Sequence, residues 1–444
     1  MAPTNGFHDV PARSAAVIGA GLAGAAVCAE LCSRGWQVEL IDAAPAPASG
    51  ASGNHAGVFH PLIARDNNRL ARLTQLGVKR AIEVWRQRER AGHAMSWSCE
   101  GLLQMARQTG RTAGQDAGEV LRAAGVDPDY ARAVDAFAAS RLAGLPVTDG
   151  GVWFAEGGWV QPASLVKAQL ATCGAALVQH LGRTVAAARR EGQGRYQTWV
   201  LMDTEGQAIS RAHCVVLATG ADPRLAQVFG QVSWPLTGMS GQLSYLAADI
   251  LPAPRIPLTR DAYVLPAIDG WVVTGATYQP AQSDDGPPGG ALGGEPDRSY
   301  QGGSTAAGHR ANLAKLGQIF ATKLPEVDAD RLAGRVSTRA VTPDRLPLLG
   351  QLLNEGALDV RRVALHGHHL ADLPRLPGVF VVGGFGSRGI TWAELAAQLL
   401  AAMMEGQTLP LSDDLVEAVD PARFRLRALR RAVAPNSARG GRAG

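Results

Sequence analysis

Three glycines near the start of the chain have the spacing of a turn that binds a diphosphate. They are Gly19, Gly21 and Gly24, in the pattern G-x-G-x-x-G of a 444-residue sequence. The first would form a tight turn, the second would let backbone approach a pyrophosphate, and the third would let a helix pack closely on a strand. The N–H groups of Leu22 and Ala23, at the start of that helix, would face the phosphates. The spacing therefore predicts a dinucleotide site.

Asp42 completes the pattern, because an acid about 20 residues further on can accept a hydrogen bond from a ribose 2′-OH. The elements that must position it are also visible. Residues 15–18 are an apolar run typical of a strand, a helical stretch continues to about residue 34, and residues 36–41 alternate like a second strand. The alternative is a helix that merely begins with glycines. The strand, helix and acid together favour the dinucleotide site.

Two further glycine-rich loops and one strand end could approach the same ligand, because glycine lets backbone come close to another group. A loop at 48–57 follows the first βαβ unit, a buried strand at 214–217 runs into small residues, and a strand at 378–382 runs into a turn before a helix at about 392–405. The alternative is that these three segments are ordinary turns that contact no ligand. Because such segments recur along the chain, we favour a ligand site that they share. The predicted cofactor contacts in them are Ser52, Gly53, Ala56, Gly57, Thr219, Gly220, Gly384, Gly386, Ser387, Gly389 and Ile390.

Composition excludes several classes of protein. Hydrophobic residues are 46% of the chain, as in ordinary globular proteins, and no apolar run reaches 18 residues, so we expect no membrane span. The N-terminus lacks the apolar core of a signal peptide, and five scattered cysteines do not indicate a disulfide framework. We therefore expect a reduced, cytoplasmic protein. No metal is predicted, because neither Cys28 and Cys32 nor the histidines His366, His368 and His369 have the spacing of a metal site.

The length of the chain favours two domains. Strands and helices alternate around the glycine motifs, which predicts an α/β, Rossmann-like domain, and strands at 239–245, 262–266 and 271–278 predict a second, α+β substrate domain with an antiparallel sheet. Residues 112–145 are predicted to form an alanine-rich helical insertion. The expected boundaries are 14–75, 151–225 and 336–420 for the dinucleotide domain, 76–150 and 226–335 for the substrate domain with a flexible insertion at about 279–308, and 421–444 for a basic C-terminal tail.

The order of the three glycine-bearing elements resembles the flavin-dependent D-amino acid oxidase superfamily over nearly the whole chain. This resemblance implies FAD as the cofactor and a FAD-binding fold of the GR2 type. Longer strings are similar to the oxidoreductase module of the MnmC family, whose bifunctional members modify transfer RNA. These strings lie at 50–64, 157–165, 240–244, 275–278, 338–350 and 384–411.

The resemblance to MnmC implies a reaction and its partners. FAD would oxidatively remove the carboxymethyl group of 5-carboxymethylaminomethyl-(2-thio)uridine at the wobble position of tRNA, giving 5-aminomethyl-(2-thio)uridine and glyoxylate. The implied partner is the anticodon stem-loop. MnmC proteins carry a methyltransferase module before the flavin module, whereas thirteen residues precede the first strand here. Two expectations follow: either this is a stand-alone oxidoreductase, or another protein, a separate tRNA methyltransferase as a second partner, carries out the methylation.

The substrate would be held by its carboxylate, for which a guanidinium is well suited because its planar fork binds both oxygens. The resemblance assigns this role to Arg339, which precedes the turn formed by Thr342, Pro343 and Asp344. An ion pair between Arg339 and a structural acid is the alternative, and Arg345 is a second candidate for the carboxylate.

Three further side chains are candidates on the substrate side. Tyr263 and Tyr278, both expected on strands, could cap the carboxylate or amine by a hydrogen bond, although tyrosines on strands are often packing residues. Arg388 could stabilise the negatively charged reduced flavin, could bind the carboxylate, or could lie on the surface. His60 is expected to be a partly buried, hydrogen-bonded histidine.

The basic tail offers a means of binding RNA, since tRNA binding depends on phosphate contacts. Seven arginines and no acids lie between residues 421 and 444. The alternative is a solvent-exposed, frayed terminus that binds nothing. The arginines considered for phosphate binding are Arg423, Arg425, Arg427, Arg430 and Arg431.

Two rival functions share these residues. The first is an oxidase of free glycine, sarcosine or a D-amino acid, which would use a small closed pocket and have no need of a basic tail. The second is a flavin-bound scaffold that presents tRNA to a separate methyltransferase. Loss of activity with retained tRNA binding in Arg339→Ala would favour the enzyme.

Overall fold

The computed structural model describes residues 13–107, 116–192, 197–231, 234–281, 303–360 and 369–433. Its helices, numbered along the chain, are α1 Leu22–Ser33, α2 Arg69–Arg90, α3 Ala117–Ala123, α4 Ala136–Ala143, α5 Pro162–Ala171, α6 Arg224–Val228, α7 Ala306–Leu316, α8 Gly389–Glu405, α9 Asp413–Val419 and α10 Arg423–Val433. Its strands are β1 Ser14–Ile18, β2 Gln37–Asp42, β3 Gly57–Phe59, β4 Trp97–Ser98, β5 Leu102–Met105, β6 Ala131–Val134, β7 Gly151–Phe154, β8 Gly158–Val160, β9 Leu177–Leu181, β10 Ala187–Glu191, β11 Thr198–Met202, β12 Ala208–Ala212, β13 Cys214–Leu217, β14 Thr237–Ala247, β15 Leu258–Thr259, β16 Tyr263–Ile268, β17 Trp271–Gly275, β18 Gln279–Pro280, β19 Ala333–Val341, β20 Leu348–Leu353 and β21 Arg375–Gly383.

A six-stranded sheet in the order β20-β21-β13-β1-β2-β9 carries the glycine motifs. Its strands are parallel except for β20, which pairs antiparallel with β21 at one edge. Every residue of β1 is buried, because helices cover one face of the sheet and the three-stranded sheet β10-β11-β12 covers the other. The first glycine turn, Asp42, Thr219 and the turn at Gly384 all follow the carboxyl ends of these strands, where open α/β sheets bind ligands.

A second, nine-stranded sheet forms the other layer. Its order is β18-β14-β17-β16-β15-β5-β7-β6, with β19 also paired to β14, and its pairs are antiparallel except β15 with β5. The long β14–β19 ladder places Met239 opposite Arg339. The predicted mixed α/β fold with a second, largely antiparallel sheet is therefore confirmed, and the role of this sheet on the substrate side stays a prediction. Two three-stranded sheets, β10-β11-β12 and β3-β8-β4, complete the architecture.

The helices α1, α2 and α8 cover the parallel sheet and share one hydrophobic core. Within that core, Glu394 of α8 accepts hydrogen bonds from the guanidinium of Arg88, from Trp85 Nε1 at 3.3 Å and from Gln169 Nε2 at 2.9 Å. Arg88 and Glu394 are both buried. This pair fixes α2 and α5 against the helix that follows the third glycine turn.

Three local predictions differ from the structure. Residues 112–145 are not wholly helical, because 131–134 form β6, which extends the second sheet beyond β7. The strand predicted to reach Tyr278 ends at Gly275, so Tyr278 lies in the connection to β18. Pairing with neighbours distant in sequence overrides local propensity in such short segments. The pair of strands that the sequence predicts at 151–160 is present as β7 and β8, but the two belong to different sheets and do not pair with each other.

The domain boundaries stay predictions, because sheet membership does not divide the residues between domains. For example, β7 lies in the segment 151–225 predicted for the dinucleotide domain, but it pairs within the nine-stranded sheet. Most of the insertion predicted at 279–308 lies outside the described residues, although its end starts α7. All five cysteines are free. Among the described residues, no helix has the length and hydrophobicity needed to cross a membrane.

Candidate active site

The first glycine turn leaves no space for side chains. Gly19 has a φ of +112°, and its N–H donates to the Ile41 carbonyl at 2.8 Å. A Cβ at Gly19 would collide with the Ala218 carbonyl, and one at Gly24 would collide with the Gly19 carbonyl. The turn therefore packs directly against the end of β13, where Thr219 and Gly220 follow.

Asp42 holds the same turn from β2. Its carboxylate accepts hydrogen bonds from the Ala20 N–H at 2.6 Å and from the Ala44 N–H at 2.8 Å. A carboxylate offers about four acceptor sites, so two remain for other donors. Its contact with a ribose hydroxyl stays a prediction.

The predicted cofactor loops converge on the N-terminus of α1. The Leu22 N–H donates to Ser52 Oγ at 3.0 Å, and a Cβ at Gly389 would lie 3.7 Å from Leu22 Cδ1. A Cβ at Gly57 would come within 2.7 Å of Ile390 Cδ1. The helix has no side-chain N-cap and no acid in its first turn. Its unpaired N–H groups are thus available to a diphosphate.

Buried polar atoms without partners lie beside these loops. Arg335 of β19 donates from Nη2 to the carbonyls of Ser49 and Gly50, each at 3.0 Å, but its Nε has no partner. Ser337 Oγ, two residues further along β19, and Asn54 Oδ1 are also buried and unpaired. Each such group costs about 1–3 kcal/mol unless it is satisfied. The Arg335 Nε–H, the Ser337 hydroxyl and the unpaired helix N–H groups can donate hydrogen bonds, and Asn54 Oδ1 can accept one. Together these groups fit the polar atoms of FAD.

Arg335 was missed in the sequence predictions. The alternation of β19 was a usable signal, because residues two apart on a strand share a face. Arg335 and Ser337 therefore point toward the same side of the sheet as Arg339, the residue predicted to bind the carboxylate.

The nine-stranded sheet brings Tyr263 and Arg339 together. The Tyr263 hydroxyl donates to the Ala56 carbonyl of the cofactor loop at 3.5 Å. Burial raises the pKa of Tyr263 to about 12, against the opposing effect of the nearby Arg339 charge. The phenol is therefore protonated at neutral pH. Arg339 lies against backbone, since a Cβ at Gly241 would be 3.3 Å from its Nη1.

Arg388 is partly buried. Burial lowers its pKa, the charge of Arg345 lowers it further, and Tyr278 opposes both. Burial also lowers the pKa of His60 to about 4, with a further contribution from Arg388. His60 is thus neutral at pH 7, and its Nδ1–H donates to the Pro61 carbonyl at 2.7 Å.

We call Arg339, Arg345 and Arg388 the arginine group. Among the described residues, none of the three has a carboxylate partner. The structural ion pair considered for Arg339 is therefore absent from this part of the chain. Arg339 is close enough to Tyr263, and Arg345 close enough to Arg388, to influence the pKa of its neighbour. Guanidinium groups without a carboxylate partner in the described residues are suited to binding anions.

The basic tail is different from the prediction. Residues 423–433 form α10, whose apolar face packs on Leu353 and Leu373. Arg423 is buried and pairs with Asp344, Arg427 pairs with the same carboxylate, and Arg425 pairs with Glu355. These three arginines are thus not free for phosphates. Residues 434–444, with the last two arginines, lie outside the described residues.

The histidine cluster also gives no metal site in the described part of the chain. His366 and His368 lie outside the described residues. The His369 N–H donates to Asp372 Oδ2 at 3.0 Å, at the start of a short 3-10 helix.

Residues 14–403 match the FAD dependent oxidoreductase (DAO) family. The chain belongs to this family. The predictions of FAD as cofactor and of an FAD-dependent oxidoreductase are thereby confirmed. The individual cofactor and substrate contacts stay predictions.

This FAD-dependent oxidoreductase is also similar to proteins that carry a more specific name. It is 43% identical over 419 residues to the tRNA 5-methylaminomethyl-2-thiouridine biosynthesis bifunctional protein MnmC of Burkholderia pseudomallei (strain 668), covering 94% of this chain and 60% of that protein. The MnmC protein of Burkholderia mallei (strain SAVP1) has the same identity and coverage. The chain thus spans about 60% of the length of these curated relatives.

Solved structures show the same fold at low sequence identity. Glycine oxidase from Geobacillus kaustophilus has a TM-score of 0.68 and 20% identity, covering 92% of this chain and 98% of that one. Iminodiacetate oxidase (IdaA) from Chelativorans sp. BNC1 has a TM-score of 0.66 at the same identity and coverage. The predicted FAD-binding fold of the D-amino acid oxidase type is confirmed.

Proposed function

We propose that this FAD-dependent oxidoreductase removes the carboxymethyl group of 5-carboxymethylaminomethyl-(2-thio)uridine at the wobble position of tRNA. The products are the 5-aminomethyl base and glyoxylate. The arginine group carries the proposal, because it provides more positive charge than one carboxylate requires. It occurs in a chain that is 43% identical over 94% of its length to proteins named for a tRNA modification.

In this proposal the protein orients one carboxylate. Arg339 donates to both of its oxygens, and the Tyr263 hydroxyl, protonated because its pKa is about 12, donates a further hydrogen bond. Bound FAD would supply the acceptor for a hydride from the α-carbon, and hydrolysis of the imine formed on the substrate would give glyoxylate and the aminomethyl base. His60 is neutral at pH 7 and adds no charge to the site.

The exposed residues next to Arg388 also favour a large substrate. Arg345 is exposed, and Tyr278, which interacts electrostatically with Arg388, is 55% exposed. A base in a tRNA loop must be splayed out of its stack to reach a flavin, so its site needs an open approach. An oxidase of free glycine would instead enclose its substrate.

The product has a primary amine, and its N-methylation would give the 5-methylaminomethyl group named for the MnmC relatives. We propose that a tRNA methyltransferase is the partner enzyme that takes the product. We also place the enzyme in the cytoplasm, where its tRNA substrate is found.

Nucleoside mass spectrometry tests this function. The protein loaded with FAD is incubated in air with tRNA from cells that lack this step, and the RNA is digested to nucleosides. We expect the carboxymethylaminomethyl nucleoside to be replaced by the aminomethyl nucleoside, with one glyoxylate released per conversion. Unchanged tRNA, with peroxide formed from free glycine or sarcosine, would instead show a small-molecule oxidase. Transfer RNA without the carboxymethylaminomethyl group is the control.

A further inference from the structure

Arg345 has an unusual backbone conformation at an exposed position. Its φ is +61°, in the left-handed region that side chains other than glycine, asparagine and aspartate rarely adopt. Such a conformation costs about 1–3 kcal/mol and persists only where the surroundings enforce it. Strain of this kind is concentrated at functional sites.

Hydrogen bonds within the turn enforce the conformation. The Arg345 N–H donates to the Thr342 carbonyl at 3.1 Å, and Thr342 Oγ1 donates to the Leu346 carbonyl at 2.7 Å. The Leu346 N–H donates to Asp344 Oδ1 at 3.2 Å. The turn is therefore closed on both sides of Arg345, and only the side chain of that residue projects freely.

The helix α10 clamps the same turn from outside. Arg423 donates to both Asp344 oxygens, at 2.9 and 3.0 Å, and to the Leu346 carbonyl at 2.8 Å. Arg427 Nη1 donates to Asp344 Oδ2 at 3.0 Å. The carboxylate adjacent to Arg345 in sequence is thus already neutralised by two other arginines.

The turn lies directly beside the loop that carries Arg388. The Gly386 N–H donates to the Ala340 carbonyl at 2.8 Å, and Val341 and Phe385 form an isolated antiparallel bridge. A Cβ at Gly384 would lie 2.9 Å from Thr342 Cγ2. Arg345 therefore stands at the solvent side of the arginine group, outside the partly buried Arg388.

We propose that Arg345 binds a phosphate of the RNA backbone next to the modified nucleotide, while Arg339 binds the carboxylate. The inference rests on the proposed function. A nucleotide within RNA presents a second anion that a free amino acid lacks, and an arginine fork matches phosphate geometry. In this account α10 acts as a positioning element for Arg345.

The test compares tRNA with the free nucleoside as substrates of the FAD-loaded enzyme. Arg345→Gly removes the charge and keeps the left-handed backbone, because glycine adopts positive φ freely. We expect the ratio of kcat/KM for tRNA to that for 5-carboxymethylaminomethyluridine to fall about tenfold, as for the loss of one charge-assisted hydrogen bond. Arg345→Lys, which keeps a point charge, should recover part of that loss.

Binding of tRNA provides a second readout. We expect the Arg345→Gly variant to show a less steep dependence of log Kd on log salt, by about one phosphate contact. Arg331→Ala is the matched control, because Arg331 is an exposed arginine paired with Asp328 before the opposite end of β19. It should change neither the ratio nor the salt dependence.

The outcomes separate the two proposals. Conversion of tRNA by the wild type with an unchanged ratio and salt slope in Arg345→Gly would overturn the phosphate contact alone. An equal loss with tRNA and nucleoside would overturn it too, because Arg345 would then serve the carboxylate or the fold. No conversion of tRNA by the wild type would overturn the proposed function, and the inference with it.

Discussion

Arg339 is the residue on which substrate binding depends most in this account. We expect Arg339→Ala to lower kcat/KM for the modified tRNA by about 10²-fold or more, since two charge-assisted hydrogen bonds are lost. Arg339→Lys should recover activity only in part, because an ammonium lacks the planar fork. The affinity for tRNA should stay within about twofold of wild type, measured by filter binding. Full activity of Arg339→Ala would remove the carboxylate assignment.

His60 should make the stability of the protein sensitive to acid. Its folded-state pKa is about 4, below the value of about 6.5 in an unfolded chain. Between these values the unfolded chain binds more protons, so the stability contributed by His60 is present above about pH 6.5 and is lost as the pH falls toward 4.

The measurement is the urea unfolding midpoint from pH 4.5 to pH 7.5. His60→Asn keeps a donor for the Pro61 carbonyl and should show a shallower fall toward low pH than wild type. Some fall should persist, because burial also lowers the pKa values of His55 and His309. Identical pH profiles for the two proteins would contradict the burial of His60 as a neutral group.

Residue roles were predictable from the sequence where local spacing determines them. Gly19, Gly24 and Asp42 were identified because a turn, a helix contact and a strand end all lie within one βαβ unit. The partner of Arg423 was not predictable, because Asp344 lies 79 residues earlier and only the tertiary fold brings the two together. A run of arginines therefore resembled a phosphate-binding tail although three of them hold the protein together.

At the scale of elements, the buried ion pair between Arg88 and Glu394 connects α2 to α8. We expect Arg88→Met to destabilise the protein by about 3–5 kcal/mol, because it leaves the Glu394 carboxylate buried without its cation. The exposed Arg90→Met on the same helix should change stability by less than about 0.5 kcal/mol. Denaturant unfolding measures both; equal small effects would show that water or another group satisfies Glu394.

Elements with strong periodicity were predicted well, and those that depend on distant pairing were not. The βαβ unit and α8 were located to within about three residues from their patterns. The strand β6 was assigned to a helix because its alanines fit either structure, and β7 decides between them by pairing with it. The arginine group itself required the fold, since Arg339, Arg345 and Arg388 lie on a strand, a turn and a helix cap.

At the scale of the whole molecule, FAD should stabilise the fold, because it would contact loops from both large sheets. For the wild type without FAD, adding the cofactor at about 100 times its Kd should increase stability by about 2.7 kcal/mol. Gly21→Val should abolish this gain and the bound flavin absorbance, because a side chain at this position would block the predicted approach of a diphosphate to the backbone. Even a Cβ there would lie 3.0 Å from Ser52 Oγ.

Gly356→Ala is the matched control, because its Cβ would meet only Asn354 Oδ1 at 3.6 Å and no positive φ is required. It should bind FAD like the wild type. Stoichiometric flavin in purified Gly21→Val would contradict the placement of the diphosphate at the first glycine turn.

The most direct test of the central claim is anaerobic reduction of the flavin in a single turnover. The FAD-loaded enzyme is mixed with tRNA that carries the carboxymethylaminomethyl group, with the same tRNA lacking it, and with glycine or sarcosine, while the flavin absorbance is followed. We predict bleaching with a 1:1 stoichiometry by the modified tRNA and none by the unmodified tRNA, with at most slow bleaching by the amino acids. Rapid bleaching by glycine or sarcosine with none by the modified tRNA would contradict the account.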